Sequence, residues 1–158
     1  MTDTIADLKM YTRGGQMMRD GLLEQLTDAD LAFSTGGDNP TLGELFKQNG
    51  ENQHSYTQSL KKLTQDWTYR HNDPMLTTSL ARLKVWFQQL DTDMAAALDQ
   101  LEPGDLSKQV DRGNGVIRTV ERQIGIYSES MLIFLTKVVV YFRAMEKPLP
   151  PSVAHYIG

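Results

Sequence analysis

Residues able to do acid–base, nucleophilic or metal chemistry are thinly spread in this sequence. There are three histidines and no cysteine, which excludes disulfides, thiolate nucleophiles, thiolate zinc sites and iron–sulfur clusters. One grouping has metal-ligand spacing. Glu51-Asn52-Gln53-His54 is a Glu-x-x-His, which in di-metal carboxylate bundles supplies two ligands from one helix. Such bundles need a second copy and two further glutamates, and neither Glu121 nor Glu129 is followed three residues on by histidine. Glu51, His54 and Glu129 are therefore the one rearranged set that could hold a divalent metal such as zinc or nickel, set against the simpler reading of a solvated helix face. His71 and His155 fall in a connection and a tail. Arg112, Arg118 and Arg122 could clamp an anion at a helix start, although a basic pair on a solvated helix explains Arg118 and Arg122 as well. Gly113-Asn114-Gly115 lacks the third glycine of a dinucleotide fingerprint and is read as a turn. There is no Gly-x-Ser-x-Gly elbow, and Asp91 and Asp93 read as solvated surface.

These residues must be positioned by helices. Four segments space their apolar residues by three and four, and none of similar length alternates as a half-buried strand does, so the expected class is all-α. The helices are expected at about 3–26, 41–63, 74–101 and 116–147. The first carries Ile5, Leu8, Tyr11, Gly15, Met18, Leu22 and Leu26 on one face, and its Gly14-Gly15 pair costs about 1 kcal/mol per residue relative to alanine, a cost that close approach of a neighbour would justify. Thr41 with Glu44 forms a capping box that opens the second helix. That helix is apolar at both ends and polar through Gln48–His54, so its centre either faces water or buries amides that need partners. Asp73-Pro74 is read as the start of the third helix, whose stripe runs Leu76, Leu80, Leu83, Phe87, Leu90, Met94, Leu98 and Leu101. The fourth ends before Pro148. One of its seams is Ile117, Val120, Ile124, Met131, Leu135, Val138, Phe142 and Met145. A second, Ile126, Ile133 and Val140, lies roughly opposite and is expected to form a homodimer interface, with a covering loop as the rival explanation.

At 158 residues, the chain is expected to fold as a single domain over residues 1–158 without metal or disulfide staples. Sixteen Lys and Arg against twenty Asp and Glu give a net charge of −4, which lacks the positive field that nonspecific nucleic-acid binding relies on. The first seven residues carry two acids and no apolar run, and the most apolar stretch, Met131 to Phe142, is interrupted by Thr136 and Lys137. A cytoplasmic protein without a membrane partner is expected.

Taken together, these features resemble the DinB-like (DinB/YfiT) four-helix-bundle superfamily. The resemblance rests on the turn Leu26-Thr27-Asp28-Ala29-Asp30-Leu31, on the helix opening Thr41-Leu42-Gly43-Glu44-Leu45-Phe46, and on the closing segment Val140-Tyr141-Phe142-Arg143 with the proline-rich Pro148-Leu149-Pro150. It implies a four-helix bundle in which many members hold one metal on three histidines. Matched on Leu45-Phe46 and Tyr141-Phe142-Arg143, those three positions are Gln48, Ser130 and Phe134. Phenylalanine cannot ligate, and a site without imidazole or thiolate has little affinity for a transition metal.

The sequence therefore reads as a divergent, metal-free and non-catalytic member with no cofactor. Gln48, Asn52, Tyr127, Ser130 and Phe134 are expected around the former metal site, where they could hold a small molecule or a partner, or merely pair with one another. The alternative is a metal-dependent enzyme, thiol-transferase-like or hydrolase-like, using Glu51, His54 and Glu129.

Overall fold

A computed structural model describes residues 4–157. Four long helices carry it: α1 (Thr4–Leu23), α2 (Leu42–Lys62), α3 (Leu80–Asp99) and α4 (Val120–Ala144), followed by a short α5 (Pro151–Tyr156) that packs on α1. Each of α1 and α2 packs against both α3 and α4. The core between them is built from Leu22, Leu31, Phe46, Leu83, Phe87, Leu135 and Phe142, all buried.

Local chemistry explains most boundaries. Thr41 Oγ1 accepts from Glu44 N at 3.2 Å while Glu44 Oε2 accepts from Thr41 N at 2.7 Å, so the capping box opens α2 as expected. Leu63, left-handed at φ 57°, closes it. Gly15 meets a neighbour as its cost in the helix requires: a Cβ there would lie 2.7 Å from Met131 Cγ on α4, whereas Gly14 faces open space.

Two helix starts differ from expectation. Pro74–Thr77 makes only a 3-10 turn, capped by Asp73, and α3 begins at Leu80 with Ser79 as its cap. The turn is docked: a Cβ on Gly43 would sit 1.9 Å from the Thr77 carbonyl oxygen, so the chain lies flat on α2 before α3 can rise. Likewise α4 does not start at Val116. Ile117–Thr119 is a strand, β2, paired antiparallel with β1 (Gln109–Asp111) in the register Val110↔Arg118, and Thr119 caps α4 at Val120. Gly113, Asn114 and Gly115 all have positive φ, which reverses the chain tightly enough to pair strands of three residues. Val110 alone in this hairpin is buried, too little for an alternating pattern to be visible, and Ile117 is exposed rather than part of a seam.

The buried face of α1 is rotated from the apolar stripe. Thr12, Gln16 and Arg19 point inward with Gly15 and Leu22, while Tyr11 is 64% exposed. On α4 the first seam is buried from Val120 to Phe142, and on the second Ile126 is half-buried while Ile133 and Val140 are exposed at 60% and 53%. By length and composition alone α4 could cross a bilayer, but here it packs along α1 and α2 as a core helix.

Candidate functional site

The centre of α2 is polar because it faces two different polar environments. On one side Gln53 is fully buried and reaches a guanidinium: Arg19 Nη1 donates to Gln53 Oε1 at 3.0 Å, and Gln53 Nε2 donates to Asp91 Oδ1 at 2.8 Å. Arg19, 0% exposed, completes its set with two bonds to Asp91 (3.2 and 2.7 Å) and two to Asp20 (3.0 and 2.7 Å). Its guanidinium lies 4.0 Å from the centre of the Phe87 ring. Burial opposes the Arg19 charge, yet the hydrogen bonds and charges of Asp91 and Asp20 outweigh burial and raise its pKa. Asp91 is thus an ion-pair partner of the core rather than solvated surface; Asp93 accepts from Gln89 Nε2.

On the other side lies a groove of about 160 Å³ between α2 and α4. Phe134 is its buried floor, edge-on to Phe46 with ring centres 5.2 Å apart. Gln48 and Asn52, one turn apart and exposed, line one wall. Ser130 lines the other, its hydroxyl donating to the Tyr127 carbonyl at 2.7 Å. Four of the five residues expected at this position, Gln48, Asn52, Ser130 and Phe134, therefore share one groove. Tyr127 does not. It is fully buried against Tyr56, with ring centres 5.4 Å apart, and burial pushes its hydroxyl pKa well above the usual tyrosine value.

The groove also contains residues outside the expected pocket set. Leu45, Ile133 and Lys137 line it, and so does Asn49. Asn49 is 5% exposed; its Nδ2 donates weakly to Met131 Sδ at 3.8 Å, and its Oδ1 has no hydrogen-bond partner among the described residues. It lies four residues after Leu45 and seven before Tyr56, so an amide in register with apolar neighbours is the available signal.

The donors at the groove do not fit a metal: an amide, a hydroxyl already bonded within its helix and a phenyl ring offer no imidazole, thiolate or carboxylate. Nor does the rearranged set assemble. Glu51 is held by Lys47, by Arg70 at 4.0 Å and by the backbone N–H of His71 at 3.0 Å. His54 stacks on Tyr69 at 3.8 Å, and Glu129 is exposed and paired to Arg122 at 2.7 Å. Among the described residues no three His, Asp or Glu side chains converge. The three arginines form no clamp either: Arg122 is taken by Glu129, Arg118 donates to its neighbour's carbonyl, and Arg112 lies over Tyr56 and Trp67.

No family model matches the sequence, and no curated protein matches it. The fold does match a solved structure. A DinB-like protein, YjoA, from Bacillus subtilis superposes with a TM-score of 0.74 at 16% identity, covering 91% of this chain and 96% of that one. The all-α, DinB-like fold expected from the sequence is therefore the fold of this chain.

Proposed function

We propose that this chain uses its DinB-like fold as a non-catalytic binding protein that takes a small polar molecule in the α2–α4 groove. The observation that carries the reading is Asn49 Oδ1. A buried acceptor left without a donor costs about 1–3 kcal/mol, and Asn49 is a lining residue of a groove with room for a ligand. The complementary ligand brings an N–H or O–H to Asn49. The Gln48 and Asn52 amides offer neutral hydrogen bonds at the rim, and the Lys137 ammonium offers a partner for an anionic group. A small hydroxy- or amino-carboxylate has this combination.

The lining favours binding over catalysis. Among the described residues it includes no histidine or carboxylate to serve as a base, and its one hydroxyl is engaged by a backbone carbonyl. The same donor chemistry argues against zinc or nickel as a cofactor, so protein purified without an affinity tag is expected to carry neither in stoichiometric amount. Metal retained at one per chain would restore the alternative of a metal-dependent enzyme. The direct test is an NMR titration of isotopically labelled protein with a panel of small hydroxy- and amino-carboxylates. One or more should shift amide resonances of residues 48–52 and 130–137 together, and Asn49→Leu should abolish that response. A panel that leaves those resonances in place counts against the reading.

The outer face of α4 supports a second element, homodimerisation. Ile133, at the groove's edge, and Val140 are exposed together with Leu132, and such a cluster of exposed apolar side chains suits a self-complementary contact. Ile133→Glu combined with Val140→Glu should then convert dimers to soluble monomers in sedimentation, and an unchanged sedimentation coefficient would place any interface elsewhere.

A further inference from the structure

A separate cavity, of about 240 Å³, lies where the C-terminal ends of α2 and α3 meet the 3-10 turn Pro103–Ser107 and the start of α4. Leu60, Ala97 and Val120, all buried, are aliphatic residues of its lining. The Val120 N–H donates to the Lys108 carbonyl at 2.9 Å, which ties two of the lining residues together. The charged residues of the lining are Lys61, Asp105 and Lys108. Asp105 is fully engaged: Lys108 Nζ lies 2.7 Å from Oδ1, and Oδ2 accepts from the Glu102 N–H at 2.9 Å. Those two bonds hold its carboxyl below the usual carboxylate range. Lys61 is exposed and has no ion-pair partner among the described residues. Lys61 and Lys62 both stand in the last turn of α2, where cations complement the helix end, but only Lys61 lines the cavity.

From this arrangement we infer that the cavity binds a small aliphatic monocarboxylate, its charged end at the rim and its chain against Leu60, Ala97 and Val120. The Asp105–Lys108 pair is neutral and closed, so a cationic ligand finds no free carboxylate. One unpaired ammonium remains, which matches a single negative charge. An anion held there at an exposed lysine keeps most of its hydration and buries only its chain, so the cost of burying a charge is avoided. The exposed Gln100 amide, also in the lining, can donate to the second carboxylate oxygen. Ordered waters are the competing occupants.

Hexanoate, with hexanamide as its neutral counterpart, tests this by NMR on the full labelled chain. Hexanoate should shift the amide resonances of residues 60–63, 97–101 and 105–108 together, and hexanamide should do so far more weakly. Lys61→Gln should reduce the hexanoate response to that of hexanamide, while Asn49→Leu, in the α2–α4 groove, should leave it intact. Ala97→Leu narrows the floor and should abolish the response; should that buried variant fail to fold, Lys61→Gln, at an exposed position, still decides the matter. Unmoved cavity resonances, an equal response to hexanamide in the wild-type chain, or a hexanoate response that Lys61→Gln leaves unchanged would overturn the assignment.

Discussion

Two buried amides one turn apart on α2, Gln53 and Asn49, meet opposite fates. Around Gln53 every partner is present, and Arg19, Asp91 and Asp20 close a network over the Phe87 ring. Around Asn49, one turn earlier on α2, a buried carbonyl oxygen is left without a partner beside a groove. Buried polarity that is closed on itself holds helices together, here α1, α2 and α3. Buried polarity left without a partner beside a groove is what the proposed binding reading rests on. Gln53 and Asn49 are both buried amides, so residue type alone does not separate the two; satisfaction of hydrogen bonds does.

The contrast can be broken most severely at its closed end. Arg19→Ala leaves Asp91 and Gln53 without their buried partner, and removing one side of a buried ion pair costs about 3–5 kcal/mol; thermal or urea unfolding should show a loss of that size. Next comes the docking that carries the chain from α2 toward α3. Gly43→Ala drives a methyl into the Thr77 backbone and should cost about 1–3 kcal/mol, whereas Gly15→Ala meets only the flexible Met131 side chain and should cost less in the same assay. At the open end the sign reverses. Asn49→Leu removes an unsatisfied acceptor and should stabilise the free protein by about 1 kcal/mol, so a clear destabilisation there would mean that Asn49 is satisfied after all.

The smallest effect is electrostatic. Burial lowers the His54 pKa, helped by Lys62 and Lys61 and opposed by Asp93 and Asp66. The unfolded chain therefore binds a proton at higher pH than the folded one, and the contribution of neutral His54 is complete above the ordinary histidine value and lost as pH falls through the folded one. His54→Gln should flatten the stability profile below pH ~6.5, while Arg19, with its pKa raised, should contribute no slope there. An unchanged profile in the variant would assign any slope to other groups.

How much of this was visible in the sequence depends on whether a residue's role is local. The stripe Leu83, Phe87, Leu90, Met94 and Leu98 is buried as its spacing implies, and the Thr41–Glu44 box needs only four consecutive residues. Gly15 announced a close approach by its cost alone. Arg19 gave no such sign, since its partners Gln53 and Asp91 lie 34 and 72 residues away, and apolar periodicity takes no account of an inward-facing arginine. That is why Tyr11 was placed on the wrong side of α1 and Asp91 at the surface. The hairpin of β1 and β2 escaped because three-residue strands carry no period. At the groove, Gln48, Ser130 and Phe134 are legible through family resemblance and Asn52 as the next turn after Gln48, but buried Asn49 is not distinguished from its polar neighbours, and Tyr127, one turn from Ser130, turns into the core.

The central claim is that the Asn49 groove is a binding site, and thermal unfolding of the wild-type chain and Asn49→Leu against the hydroxy- and amino-carboxylate panel tests it most directly. A compound held at a hundred times its dissociation constant stabilises its host by about 2.7 kcal/mol. The account predicts that at least one compound raises the wild-type melting temperature, and that Asn49→Leu starts higher and does not respond. A wild-type chain indifferent to the whole panel, or a shift that Asn49→Leu retains, would contradict it.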